Sequence, residues 1–178
     1  MSDLWKEIPL DEKAPRVVDA VVEISKFSRN KHEYDVEAKV FRLDRVLHSP
    51  LHYPVDYGFI PRTLEEDGDP VDIMVFGDEP SPQGSVLKAR PVGLLKMLDE
   101  GESDDKILAV PLGNPRFQGM EDLADPPEHL LKELEHFFGV YKELEGKETE
   151  VLEWKGTVSA HEAIEKAMNL YGEKVGEG

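Results

Sequence analysis

The first two-thirds of the chain consists of short apolar runs cut apart by turn residues, a pattern that predicts strands. Residues 16–24 (RVVDAVVEI) are rich in β-branched side chains. Residues 33–42 alternate, with Tyr34, Val36, Ala38 and Val40 on one face and charged residues on the other. That alternation predicts a single half-buried strand. Further strands are expected over 71–76, 85–97, 107–110 and 148–154, separated by Pro80-Ser81-Pro82-Gln83-Gly84 and by the acidic run 99–105.

The period then changes to helical. Asp125 is placed to cap a helix that opens with Pro126-Pro127. Its apolar stripe runs Leu130, Leu134, Phe137, Tyr141 and Leu144, and Gly146 is its expected stop. Gly139 inside it weakens the helix by about 1 kcal/mol relative to Ala. A second helix is expected from Ser159, with Glu162 completing a capping box, and carries Ala160, Ala163, Ile164, Ala167, Met168 and Tyr171. Many strands, a helix, a strand and a helix predict a mainly β fold with α (α+β). The expected form is a small closed β-barrel with helices packed against it, rather than a parallel α/β sheet. No repeat or long linker divides the chain, so residues 1–178 are expected to form one domain, with a flexible Gly-rich tail over about 172–178.

Charge changes the picture. The 178 residues carry 21 basic and 38 acidic side chains, a net charge of −17. Coating of nucleic acid is thereby excluded, because a phosphate backbone needs a positive surface. The absence of cysteine removes disulfides, thiolate zinc sites and cysteine nucleophiles. No run approaches 18 consecutive apolar residues and the opening lacks a signal-peptide core, so no membrane is expected and the cytoplasm is the expected compartment. Most of the acid reads as solvated surface, Glu143-Leu144-Glu145 and 172–174 included. The excess is greater than a site requires and reads as adaptation to salt.

Two acidic stretches interrupt non-helical sequence, where repulsion needs a compensating cation: 65–72 and 99–105. In the first, Gly68 and Pro70 forbid a helix and hold a turn from which Asp67, Asp69 and Asp72 could converge. Ordinary turn chemistry explains Asp-Gly and Asp-Pro about equally well on turn-residue frequencies. An EF-hand fits poorly, since Asp72 stands where Gly is needed and Asp78 where Glu is needed. All-oxygen donors suit magnesium or manganese. With Asp99 and Asp104 in the second stretch, the set suits several ions, which clamp phosphoryl groups and acidify water. Lys31, Arg45 and Lys142 are candidates to grip an anion, with Tyr53, Tyr57 and Tyr141 as donors; singly, each has an ordinary surface or core explanation. The six histidines show no paired ligand spacing.

Taken in order, Asn30-Lys31-His32-Glu33-Tyr34-Asp35, Leu43-Asp44-Arg45-Val46, the block 53–61, Asp67-Gly68-Asp69-Pro70-Val71-Asp72, Arg90-Pro91-Val92-Gly93 and His136-Phe137-Phe138 with Tyr141-Lys142 resemble family I soluble inorganic pyrophosphatases of the prokaryotic type. The resemblance covers about residues 16 to 155. It implies a five-stranded, OB-like closed barrel flanked by two α-helices, and hydrolysis of pyrophosphate to two orthophosphates with three to four Mg2+ ions. It also implies that Asp67, Asp72 and Asp104 hold the ion that activates water, and that Asp99 and Asp104 hold a further one. Glu23 and Glu33 are implied to assist through water or substrate-delivered metal, and Asp69 to act as general base. Lys31, Arg45, Tyr57, Lys106, Tyr141 and Lys142 are implied to bind phosphate, with Tyr53 in support. The short chain length resembles members that assemble as homohexamers. Two other readings remain at this point: an OB-type binding module without catalysis, and a pyrophosphohydrolase acting on nucleoside triphosphates.

Overall fold

The computed structural model describes residues 2–176. Its strands are β1 (Val18–Ile24), β2 (Asn30–Asp35), β3 (Val40–Val46), β4 (Asp56–Phe59), β5 (Asp72–Val75), β6 (Val86–Asp99), β7 (Glu102–Ser103), β8 (Lys106–Pro111) and β9 (Thr149–Lys155). Helix α1 (Glu128–Val140) precedes β9, and α2 (Thr157–Lys174) follows it. Five strands close into a ring in the order β1-β4-β5-β8-β6, with β6 returning to β1. Only β5 and β8 run parallel within it. The expected five-stranded, OB-like barrel with two flanking helices is therefore present.

The long strand β6 makes the closure possible. Its first residues pair with β1, its middle with β8, and its end with β9 and β7. A register shift between Pro91 and Gly93 bends it between partners. Helix α1 sets Leu130, Leu134, Phe137 and Phe138 against Met74, Leu95, Met97 and Leu108 of the barrel. Helix α2 sets Ala160, Ile164 and Ala167 against Ile73, Leu94 and Ile107 on neighbouring positions of the same strands. With apolar residues needed on both faces, these strands lose the simple alternation of a one-sided sheet.

Several local expectations change. Residues 33–42 are not one strand but the end of β2, a turn over 36–39 and the start of β3. Asp35 accepts hydrogen bonds from the backbone N–H groups of Glu37 and Ala38, and Lys39 enters the left-handed region at φ 57°. The hairpin puts Lys31 opposite Arg45. Strand β4 has four buried residues, too few and too uniform to show a period. Asp125 does not cap α1; its carboxylate accepts from the N–H groups of Glu121 and Asp122, and Pro127 stands at the helix start. Helix α1 ends at Val140, so Leu144, 65% exposed, sits in a short 3-10 turn over Glu143–Glu145 rather than on the stripe. Gly146, at φ 70°, closes that turn. Helix α2 starts at Thr157, two residues before Ser159, and the Thr157 hydroxyl ties it to Val92 and Glu121 carbonyls. Of the expected tail, 172–174 continue α2, and residues 177 and 178 lie outside the described residues.

Barrel closure between β1 and β4 depends on Gly58, where an added Cβ would lie 1.7 Å from the Val21 carbonyl oxygen. Backbone cannot yield there without breaking the pair. Gly58→Ala is expected to destabilise the fold by about 3 kcal/mol or more, as for a severe core overpacking. Urea unfolding measures this; an unchanged midpoint would contradict the packing described.

Candidate active site

A cavity of about 630 Å³ opens where the barrel mouth meets the β2–β3 hairpin and the segment after α1. Its floor is held by the Asp loop. The fully buried Thr63 hydroxyl donates to the Ile60 carbonyl and accepts from the Val71 N–H. Glu65 N–H donates to the Asp69 carbonyl, and Asp67 accepts from the Asp69 N–H at 3.0 Å. Gly68 takes φ +100° to let the chain turn. Asp72 then opens β5.

Lys106, 2% exposed, rises from the start of β8 into this floor. Its ammonium donates to the Asp72 carboxylate (2.9 Å), the Asp104 carboxylate (3.0 Å) and the Tyr57 hydroxyl (2.9 Å), and Tyr57 in turn donates to Asp72 at 2.6 Å. Burial alone would push this lysine toward neutrality, but Asp72 and Asp104 outweigh it and hold its pKa well above the ordinary value. Burial first, and then Asp72, push the Tyr57 phenol well up, so it stays a donor.

The walls alternate in sign. On the hairpin, Lys31 pairs with Glu33 and lies 3.6 Å from Asp44, while Arg45 pairs with Asp44 and Glu145. Opposite, Lys142 pairs with Asp99 from the end of β6, next to Tyr141. Even so, ten carboxylate residues line the cavity against four cationic ones. The strain shows in the acids. Burial, then the Tyr34 N–H opposing it and Asp72 adding to it, leave Glu23 pushed up to about 8. Glu65 rises to about 8 through burial and then the charges of Asp72 and Asp67, and Asp69 is raised by burial and then Asp67.

Among the described residues no three acidic or histidine side chains stand together as a preformed ion cage. The carboxylates are spread around the wall, with Lys106 between Asp72 and Asp104. The donor set nonetheless fits hard divalent ions: it is all oxygen, over-rich in negative charge, and includes a buried Asp99 oxygen with no hydrogen-bond partner.

The family model described as inorganic pyrophosphatase matches residues 20–172. An inorganic pyrophosphatase of Haloferax volcanii is 49% identical over 174 residues, covering 97% of this chain and 98% of that protein. The chain belongs to the inorganic pyrophosphatase family. One from Geobacillus stearothermophilus is 44% identical over 89% of this chain and 96% of its own. The crystal structure of the Thermus thermophilus inorganic pyrophosphatase superposes with a TM-score of 0.91 at 41% identity, covering 96% of this chain and 99% of that one.

The pyrophosphatase cavity gathers almost every residue singled out from the sequence: Asp67, Asp69, Asp72, Asp99, Asp104, Glu23 and Glu33 among the acids, and Lys31, Arg45, Tyr57, Lys106, Tyr141 and Lys142 among the donors. Tyr53 stands behind the wall instead, buried, with its ring 5.4 Å from Tyr57 and 4.8 Å from Phe137. Glu65, Glu100, Glu102, Ser103 and His32 also line the cavity and were not singled out. The only sequence signal for the first three is their place in the two acidic stretches.

Replacing Lys106 by Met leaves Asp72 and Asp104 without their shared cation. The expected cost is about 3 kcal/mol, the usual scale for breaking a buried ion pair. Magnesium should recover part of it by supplying positive charge to the same carboxylates. Denaturant titrations with and without magnesium test both, and a fully stable variant would contradict the assignment.

Proposed function

We propose that this protein hydrolyses inorganic pyrophosphate to two orthophosphates, using divalent metal ions held by the cavity carboxylates. The observation that carries the reading is the excess of acid over cation in a cavity that must receive an anion. A substrate carrying several negative charges would be repelled from such walls unless divalent ions neutralised them.

Asp67, Asp72, Asp99 and Asp104 are the residues to hold three to four Mg2+ ions, with Glu23 and Glu33 acting through water or the substrate's own metal; Mn2+ is a workable substitute. When bound, such ions neutralise phosphoryl charge and lower the pKa of water. Asp69 borders the cavity with its carboxyl already shifted toward holding a proton, which suits it to accept one from the attacking water. Water oxygen bonds to one phosphorus, the bridging P–O bond breaks, and the departing orthophosphate keeps the electron pair. Lys31 and Arg45, side by side across the hairpin, are placed to grip one phosphoryl group. Tyr141 and Lys142 serve on the far wall, Tyr57 and Lys106 at the floor, where charge developing on the leaving group is stabilised without reorganisation. Tyr53 supports Tyr57 by packing against its ring.

Residues 1–178 act as one domain in this reading, in the cytoplasm, free of nucleic acid and membrane. Among the described residues no helix is long and apolar enough to cross a membrane. The assembly is a homohexamer. Light scattering should then give a particle about six times the 20.1 kDa chain; a monomer would refute that part alone.

Purified protein with magnesium should release two orthophosphates per pyrophosphate and stop when the metal is chelated. Asp69→Asn should lower kcat by about 10²- to 10⁴-fold, the range of a general base. ATP should be turned over far more slowly than pyrophosphate. No phosphate release from folded, metal-loaded protein would overturn the reading, and indifference to Asp69→Asn would favour a binding module instead.

A further inference from the structure

Read from sequence, Glu143-Leu144-Glu145 is a solvated face. Glu143 and Leu144 are exposed, but the Glu145 side chain is turned inward and is only 7% exposed. Its carboxylate lies 2.6 Å from Arg45 Nε, in an ion pair that is not aligned as a hydrogen bond, and its second oxygen is buried without a hydrogen-bond partner. Arg45 Nε and Nη2 are likewise buried and lack hydrogen bonds, whereas Nη1 donates to Asp44. The guanidinium thus turns its inner, Nε edge to Glu145, while its Nη1 edge pairs with Asp44 and the side chain as a whole lines the cavity. Glu145 itself does not line that cavity, and the cavity-lining group that its carboxylate meets is Arg45.

The backbone gives the contact its reach. Glu145 sits in the 3-10 turn that follows Tyr141 and Lys142, with its N–H donating to the Lys142 carbonyl. One turn therefore sets both a phosphate-binding wall after α1 and the anchor of the arginine on the opposite hairpin. A carboxylate this buried is costly unless a cation answers it, and Arg45 is the cation it meets.

We propose that Glu145 is a positioning residue for the hydrolysis: it clamps the inner edge of the Arg45 guanidinium so that the outer edge is presented to a phosphoryl group, fixing the distance between the hairpin wall and the Lys142 wall. The inference rests on the pyrophosphatase reading above.

Two measurements test it: KM and kcat for magnesium pyrophosphate, and the calorimetric Kd for imidodiphosphate, a non-hydrolysable P–N–P analogue, with magnesium present. Glu145→Ala should raise KM and Kd about 10-fold and change kcat less than about 3-fold, as expected when a binding group is displaced rather than removed. In an Arg45→Ala background the same substitution should have no further effect on Kd, because the group it positions is gone. Glu145→Gln, which keeps an oxygen at the same reach, should stay within about 3-fold of the native Kd. If Glu145→Ala does not fold, Glu145→Asp, which withdraws the carboxylate by one methylene, should raise Kd about 3-fold on the same grounds. A native Kd in Glu145→Ala, or in Glu145→Asp where the alanine variant does not fold, or an effect that multiplies with Arg45→Ala, overturns the proposal and marks the pair as structural. Native protein that releases no orthophosphate overturns the functional reading and this inference with it. Turnover by native protein with an indifferent Glu145 overturns the inference alone.

Discussion

A single buried ammonium, that of Lys106, holds the floor of the cavity to the barrel. Lys106 starts β8, yet its three hydrogen bonds reach Tyr57 of β4, Asp72 of β5 and Asp104 of the loop before β8. Strand pairing alone would align β4, β5 and β8 without saying where their polar ends point. The ammonium decides that, since each oxygen must face it or remain uncompensated in a poorly solvated place. Without that cation the two aspartates would repel each other across the mouth of the ring.

The rest of the cavity extends the same problem outward. Carboxylates outnumber cations, and the most enclosed of them, Glu23 and Glu65, are pushed up to about 8. A fold gains nothing in stability from crowding acids in this way; burial and mutual repulsion both oppose it. The arrangement makes sense as a site that divalent ions complete, with stability surrendered locally to keep an excess of carboxylate oxygens around one cavity.

Two walls face each other across this floor, and each is anchored by local chemistry. The Asp35 turn folds β2 back on β3 and so sets Lys31 beside Arg45. On the other side, α1 packs Phe137 and Phe138 into the barrel, which fixes where Tyr141 and Lys142 emerge. The Arg45–Glu145 ion pair spans the two, joining segments about one hundred residues apart in sequence. Tyr53, wedged between Tyr57 and Phe137, fills the space behind and keeps the floor and the second wall in register.

The sequence by itself determined the fold class and most of the strands and both helices, which follow from local signals, whereas the five-stranded ring and the candidate site set came with the ordered family blocks, and β4 carried no period to read. Apolar runs bounded by Gly and Pro mark strands, and Asp-Gly-Asp-Pro with an ordered series of charged blocks marks the chemistry. It misread residues 33–42, since alternation continues unbroken through a hairpin when the turn is made by an Asp side chain rather than by Gly. It set Asp125 on a helix it does not cap, because a carboxylate beside two prolines can as easily serve the N–H groups before it. Only the tertiary structure decided which acids are buried. Glu65 and Glu145 look like their exposed neighbours Glu66 and Glu143 along the chain, and differ only in what the fold brings against them. Burial and charge pairing are sums over residues distant in sequence, and no local pattern contains them.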